Sequence, residues 1–225
     1  MGRMVTFRAN GRAADGYLAT PKGGHGPGIV LVQEWWGLVD HIKDLAERFS
    51  HAGFLVLAPD LYHGEKTKSP DDAGKLMMAL NIAEAAKDLN GAAEYLIALD
   101  GVAPKKVATI GFCMGGQLAL FAACEFPGTI GAAVDFYGVH PAVTPDVANL
   151  SGPVLAHFAT RDKSTPPNVA NALIKQIQDA RKQVEAYFYE ADHAFFNDAR
   201  PEVYNADAAK LAWDRTIEFL KKNLQ

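Results

Sequence analysis

Cys113 stands at the centre of Gly111-Phe112-Cys113-Met114-Gly115, a nucleophile with glycine two residues away on either side. The apolar run Val107-Ala108-Thr109-Ile110 precedes it, and a helical pattern from Gln117 to Ala123 follows. A sharp turn between strand and helix lifts its central side chain into a cleft. The helix behind supplies unpaired backbone N–H groups and a positive dipole end, which favour a thiolate and an oxyanion forming beside it. Such a thiol can attack a carbonyl carbon once a base takes its proton. The competing reading is a buried structural cysteine. Three glycines at one strand–helix junction, Gly111, Gly115 and Gly116, favour chemistry, because alanine would serve simple packing better.

A base and an acid must reach this thiol, so the elements that carry them come next. The stretches 28–33, 54–58, 107–110, 130–136, 154–159 and 184–189 are apolar runs that read as buried strands. Helical patterns separate most of them. Asp40 is placed to cap the first, with Ile42, Leu45, Ala46 and Phe49 on one face and Gly53 as its stop. Two helices fill 71–100, broken near Asn90-Gly91. Another opens at Pro166-Pro167 and carries Val169, Leu173 and Ile177, and Ala209, Trp213, Ile217 and Leu220 mark a terminal one. Val5–Ala9 and Ala13–Ala19 form a hairpin through Asn10-Gly11. The alternation predicts an α/β fold in one domain, 1–225, built on a doubly wound, mostly parallel sheet flanked by helices.

In such sheets the site forms at the carboxyl ends of the strands. That selects Glu34-Trp35-Trp36, Cys113, Thr160-Arg161-Asp162 and Asp192-His193. Nucleophile, acid, histidine is the chain order of the α/β-hydrolases, and Cys113, Asp162 and His193 satisfy it. His193 would take the thiol proton and return one to the leaving group, while Asp162 fixes its tautomer. Attack gives a thioester that water hydrolyses. Among the other histidines, His63 in the loop after Asp60-Leu61-Tyr62 is the rival. His157 lies within an apolar strand and reads as a core residue, His140 is placed to line the cleft, and His41 and His51 lie on or beside a surface helix. Asp135 lies inside a strand and Asp192 adjoins the histidine, so neither replaces Asp162. Glu34 reads either as a polar strand end or as a carboxylate that disfavours the resting thiolate. The backbone N–H groups of Trp35 and Met114 are candidate oxyanion donors. Trp36, Tyr62, Tyr137, Phe195 and Arg200 are candidate substrate contacts.

A net charge of −4 gives no reason to expect nucleic acid or an anionic membrane as partner. No apolar run is long enough to span a bilayer, and the first residues lack the apolar stretch of a signal peptide. Cys113 and Cys124, eleven residues apart on one helix, lie beyond disulfide reach. Two unpaired thiols suit a reducing compartment, so the chain reads as cytoplasmic, with Cys124 a small buried hydrophobe. The histidines and carboxylates are not spaced as a metal set, and no dinucleotide or Walker motif occurs. No cofactor is expected.

These residues together resemble the dienelactone hydrolase family, from about residue 5 to the end. The likeness is carried by Gln33-Glu34, Asp60-Leu61-Tyr62, Gly111-Phe112-Cys113-Met114-Gly115-Gly116, Tyr137-Gly138, Asp162 and Asp192-His193-Ala194-Phe195. It implies a carboxymethylenebutenolidase-like hydrolase of a small ester or lactone, using Cys113, His193 and Asp162, with Glu34 acting on the resting thiol. The implied fold is a compact α/β-hydrolase without a large lid, a monomer or weak homo-oligomer. Two arginines that hold a substrate carboxylate in the best-known members of that family correspond here to Gly64 and Asn197. The expected substrates are therefore uncharged, with Arg200 and Lys66 as the candidate replacements for those cations. The alternatives are a broad carboxylesterase or thioesterase on the same machinery, or a non-catalytic module with Cys113 as a sensor thiol.

Overall fold

The computed structural model describes residues 2–138, 140 and 142–224. Eight strands form one sheet in the order β1-β2-β4-β3-β5-β6-β7-β8. These are β1 (Arg3–Ala9), β2 (Arg12–Ala19), β3 (Gly28–Val32), β4 (Leu55–Pro59), β5 (Val107–Phe112), β6 (Ile130–Phe136), β7 (Val154–Ala159) and β8 (Val184–Tyr189). The hairpin β1–β2 joins β4 antiparallel, and every pairing from β4 to β8 is parallel. The helices are α1 (Asp40–His51), α2 (Pro70–Ala79), α3 (Ile82–Ala98), α4 (Met114–Glu125), α5 (Pro167–Asp179) and α6 (Ala206–Asn223). No inserted lid domain interrupts the alternation among the described residues.

The central strands are apolar throughout because both faces are covered. Val30, Val32, Leu57 and Val107 join a core with residues of α3, α4 and α5. Their neighbours Ile29, Leu31, Val56, Ala108 and Ile110 join a second core with α1 and α6. The alternation of side chains along each strand thus divides two layers across one sheet.

Three details of the helices differ from the sequence reading. Asp40 is the first residue of α1, and Val39 occupies the cap without a side-chain bond. The break within 71–100 falls at Leu80-Asn81, not at Asn90-Gly91. The Asn81 side chain accepts the Glu84 N–H and starts α3, which runs on through Asn90 and Gly91. Gly91 is there for packing, since a Cβ would meet the Ala9 Cβ at 2.5 Å. Val169 is on the exposed side of α5, which buries Ala170, Leu173 and Ile177.

The chain steps outward from β3 to β4 and returns to place β5 on the other side of β3. That reversal is a topological switch point, where open α/β sheets form a crevice beyond the strand ends. Glu34 and Cys113 flank it.

Candidate active site

β5 ends at Phe112 and α4 begins at Met114, leaving Cys113 alone in the turn. Its backbone lies at φ 55°, ψ −127°, a region that costs a non-glycine residue on the order of 1–3 kcal/mol. Its surroundings impose this shape. The Cys113 N–H donates to the Phe136 carbonyl at 3.0 Å, and its own carbonyl accepts the Gly116 N–H at 2.9 Å. A Cβ at Gly111 would sit 1.8 Å from the Gly115 carbonyl oxygen, and one at Gly116 would sit 2.0 Å from Asp135 Oδ1. Alanine would therefore not serve the packing here: the glycines permit the backbone approach that holds Cys113 in its strained turn.

Asp162 follows β7 with its side chain fully buried. One carboxylate oxygen, Oδ1, accepts the N–H groups of Ser164 and Thr165 at 2.7 and 2.8 Å. The other lies 2.7 Å from His193 Nδ1. With Nδ1 committed to the carboxylate, Nε2 is left for the thiol. Burial alone would lower the pKa of His193, but hydrogen bonding and charge at Asp162 and Cys113 outweigh it and raise it to about 10. A largely enclosed imidazole hydrogen-bonded to a carboxylate favours its imidazolium form.

Glu34 lies two residues past the end of β3 and is 2 % exposed. Its Oε2 accepts from Asn197 Nδ2 at 2.8 Å, and its Oε1 has no partner among the described residues. Burial raises its pKa against the opposing pull of His193, Asn197 and Arg200. Asn197, expected from the resemblance to stand where a cation would, thus grips the Glu34 carboxylate. The loop that holds Asn197 is tied to α1, because Asp198 pairs with Arg48 and lies 3.4 Å from His41 Nδ1. His41 is therefore buried rather than on a surface face.

A cleft of about 240 Å³ brings Glu34, Cys113 and His193 together. Trp35 and Trp36 line one side, in edge contact with ring centroids 4.9 Å apart. The backbone N–H of Trp35 and that of Met114 have no protein acceptor among the described residues, as suits a helix N-terminus facing a developing anion. Arg200 lies over the Trp36 ring at 5.6 Å and pairs with Glu202 at 2.8 Å. The cleft thus has a cation although Gly64 and Asn197 supply none, while Lys66 lines an adjoining groove. Tyr137, His140, Ser164 and Thr165 line the cleft too.

Two expected contacts fall elsewhere. Tyr62 does not line the cleft: its hydroxyl donates to the Met114 sulfur at 3.3 Å, and its ring borders a separate groove with His63 and Asp88. Phe195 is fully buried against Tyr137 and Tyr189, and it is Tyr137 whose ring meets His193. His63 is half exposed, beside Arg12 and Asp88 and outside the cleft. Asp192 pairs with Arg161 at the surface. The sequence reading missed Ser164 and Thr165, although both follow Asp162 within three residues. It also missed Met77, which α2 brings to the cleft and which no local signal marks.

The mostly parallel sheet, the strained turn between β5 and α4 and the acid and histidine beyond β7 and β8 define an α/β-hydrolase. The sequence model of the dienelactone hydrolase family matches residues 14–224, and the chain belongs to that family. It is 36 % identical to "Protein usf" of Aquifex pyrophilus, with both chains covered in full. It is 34 % identical, again over the whole of both chains, to a protein of Aquifex aeolicus named "Putative carboxymethylenebutenolidase". Among solved structures, that titled "Putative Dienelactone Hydrolase" from Klebsiella pneumoniae superposes with a TM-score of 0.86 at 28 % identity, over 97 % of each chain.

Proposed function

We propose that the chain is a cysteine-dependent hydrolase of small, uncharged esters or lactones, working through Cys113, His193 and Asp162. The observation that carries this reading is the His193 ring, held by Asp162 at 2.7 Å and sharing one cleft with a thiol on a strained turn. Cys113 attacks the substrate carbonyl as its thiolate, with His193 as the imidazolium. The oxyanion takes hydrogen bonds from the Trp35 and Met114 N–H groups. His193 then protonates the leaving alkoxide, and Cys113 is left as a thioester. Water, deprotonated by His193, attacks that thioester and the thiolate is expelled. Glu34, held by Asn197, disfavours a free thiolate between turnovers. The Arg200 charge is offset by Glu202, which supports uncharged substrates. The two free thiols support a reducing, cytoplasmic setting, and no helix among the described residues is long and apolar enough to cross a membrane.

The test compares p-nitrophenyl acetate and dihydrocoumarin as substrates of the wild type and of Cys113→Ala. The wild type is expected to open both, and the variant to fall at least about a thousandfold on each while keeping its thermal midpoint. Wild-type turnover by Cys113→Ala would overturn the reading.

A further inference from the structure

His140 lies beyond β6, on the side of Cys113 away from β3 and its Trp35 N–H, and lines the same cleft. The Ala142 N–H donates to its Nδ1 at 3.1 Å. A backbone amide can only donate, so Nδ1 carries no proton and the neutral ring carries its hydrogen on Nε2. Protonating Nδ1 would set two N–H groups against each other, and burial also lowers the pKa of this imidazole. The residue is 4 % exposed and Nε2 itself is closed off from water, yet Nε2 has no partner among the described residues, so a small shift of the ring must accompany its contact with a bound molecule. A buried donor held in one tautomer and left unpaired is uncommon and calls for an acceptor.

Its position is fixed by the helix that carries the nucleophile. Gln117, one turn past Cys113 on α4, is buried. Its Oε1 accepts the His140 N–H, and its Nε2 donates to the Val143 carbonyl at 2.9 Å. The Val143 N–H closes the loop onto the His140 carbonyl at 3.0 Å. Thiol and imidazole are thus set by one element, which favours a fixed distance between them.

We propose that the Nε2–H of His140 donates to an oxygen of the bound substrate other than its scissile carbonyl, so that the cleft prefers uncharged, oxygen-bearing substrates over hydrocarbon ones. This rests on the hydrolase reading above and names its substrate class. A donor of this kind discriminates strongly, because a substrate lacking the acceptor leaves it unpaired.

The experiment uses two isosteric pairs, each replacing one CH₂ with oxygen. One is p-nitrophenyl methoxyacetate against p-nitrophenyl butyrate, the other 2-methoxyethyl acetate against butyl acetate. The readout is the ratio of kcat/KM within each pair, which cancels intrinsic reactivity when wild type and variant are compared. In at least one pair His140→Phe should lower the ratio about tenfold, and His140→Gln, which keeps an N–H near Nε2, should restore most of it. Unchanged ratios in both pairs, or a glutamine no better than phenylalanine, overturn the proposal. ¹⁵N spectra of the imidazoles give a second readout that needs no variant: His140 should be neutral at pH 7 with its proton on Nε2. An imidazolium or the other tautomer would also overturn it. Failure of the wild type on all four esters would instead remove the hydrolase reading, a result distinct from turnover with flat ratios.

Discussion

Two histidines of this molecule lie at or just past the carboxyl ends of neighbouring strands, one fully buried and one partly exposed, and their chemistry is opposite. His157, in β7, is fully enclosed. Its Nε2 lies 3.0 Å from Thr216 Oγ1, and its Nδ1 lies 2.9 Å from the Tyr189 hydroxyl. Thr216 gives its own proton to the Ala212 carbonyl. It therefore accepts from His157 Nε2–H, and Nδ1 accepts from Tyr189. Both partners are neutral and Arg215 is nearby, so burial drives the pKa down to about 3. His193 has the Asp162 carboxylate on one side and a thiol on the other, and its pKa rises to about 10. Burial alone lowers both, so the sign is decided by the charge of the partners. One region holds a histidine as a neutral structural bridge, and the other favours its imidazolium.

Removing the charge at Asp162 should erase the difference at its largest. Asp162→Asn keeps the size and one hydrogen bond but no longer favours the imidazolium. It is expected to lower kcat on p-nitrophenyl acetate by about 10³–10⁴. Stopped-flow rates with circular dichroism as a folding control check this, and a fall under tenfold would mean that Asp162 does not orient the base.

Glu34→Gln sharpens the comparison from the thiol side. Glutamine can keep the Asn197 contact while removing a negative charge beside Cys113. Alkylation of Cys113 by iodoacetamide at pH 7 should become about tenfold faster, read by peptide mass spectrometry with buried Cys124 as the internal reference. An unchanged rate would assign Glu34 to a structural hydrogen bond.

The third effect is on stability. His157 has a depressed pKa in the fold and an ordinary one near 6.5 in the unfolded chain. Between those values the unfolded state binds the extra proton, so stability is full above pH 6.5 and falls as pH drops toward 3. The slope approaches about 1.4 kcal/mol per pH unit. His193 is raised, so its contribution is full below pH 6.5 and is lost as pH rises toward 10. His157→Gln should remove the acid slope and leave the alkaline one, by urea unfolding from pH 4 to 10. Persistence of the acid slope would place its origin in another group.

How far the sequence reveals each region follows from how local its signals are. The elbow is legible because Gly111, Cys113 and Gly115 lie within five residues of a strand–helix boundary. Asp162, His193 and Glu34 are legible because strand ends mark them. His157 also reads correctly as core, since it lies inside an apolar run. What fails is whatever depends on contacts between distant segments. Gly91 looks like a helix break until Ala9 is seen against it. Tyr62 and Phe195 sit in motifs beside the cleft, yet their rings turn toward Met114 and Tyr137. Asn197 looks like a missing cation, and only the fold brings it to Glu34.

The central claim is that Cys113 carries the acyl group. The most direct measurement mixes the wild type with p-nitrophenyl acetate, quenches with acid within milliseconds and maps the acylated peptide by mass spectrometry. One acetyl group per chain is expected on the peptide containing Cys113, discharged by hydroxylamine and absent from Cys113→Ala. An acetyl group on another residue formed at the turnover rate would contradict the account, as would sustained wild-type turnover by Cys113→Ala.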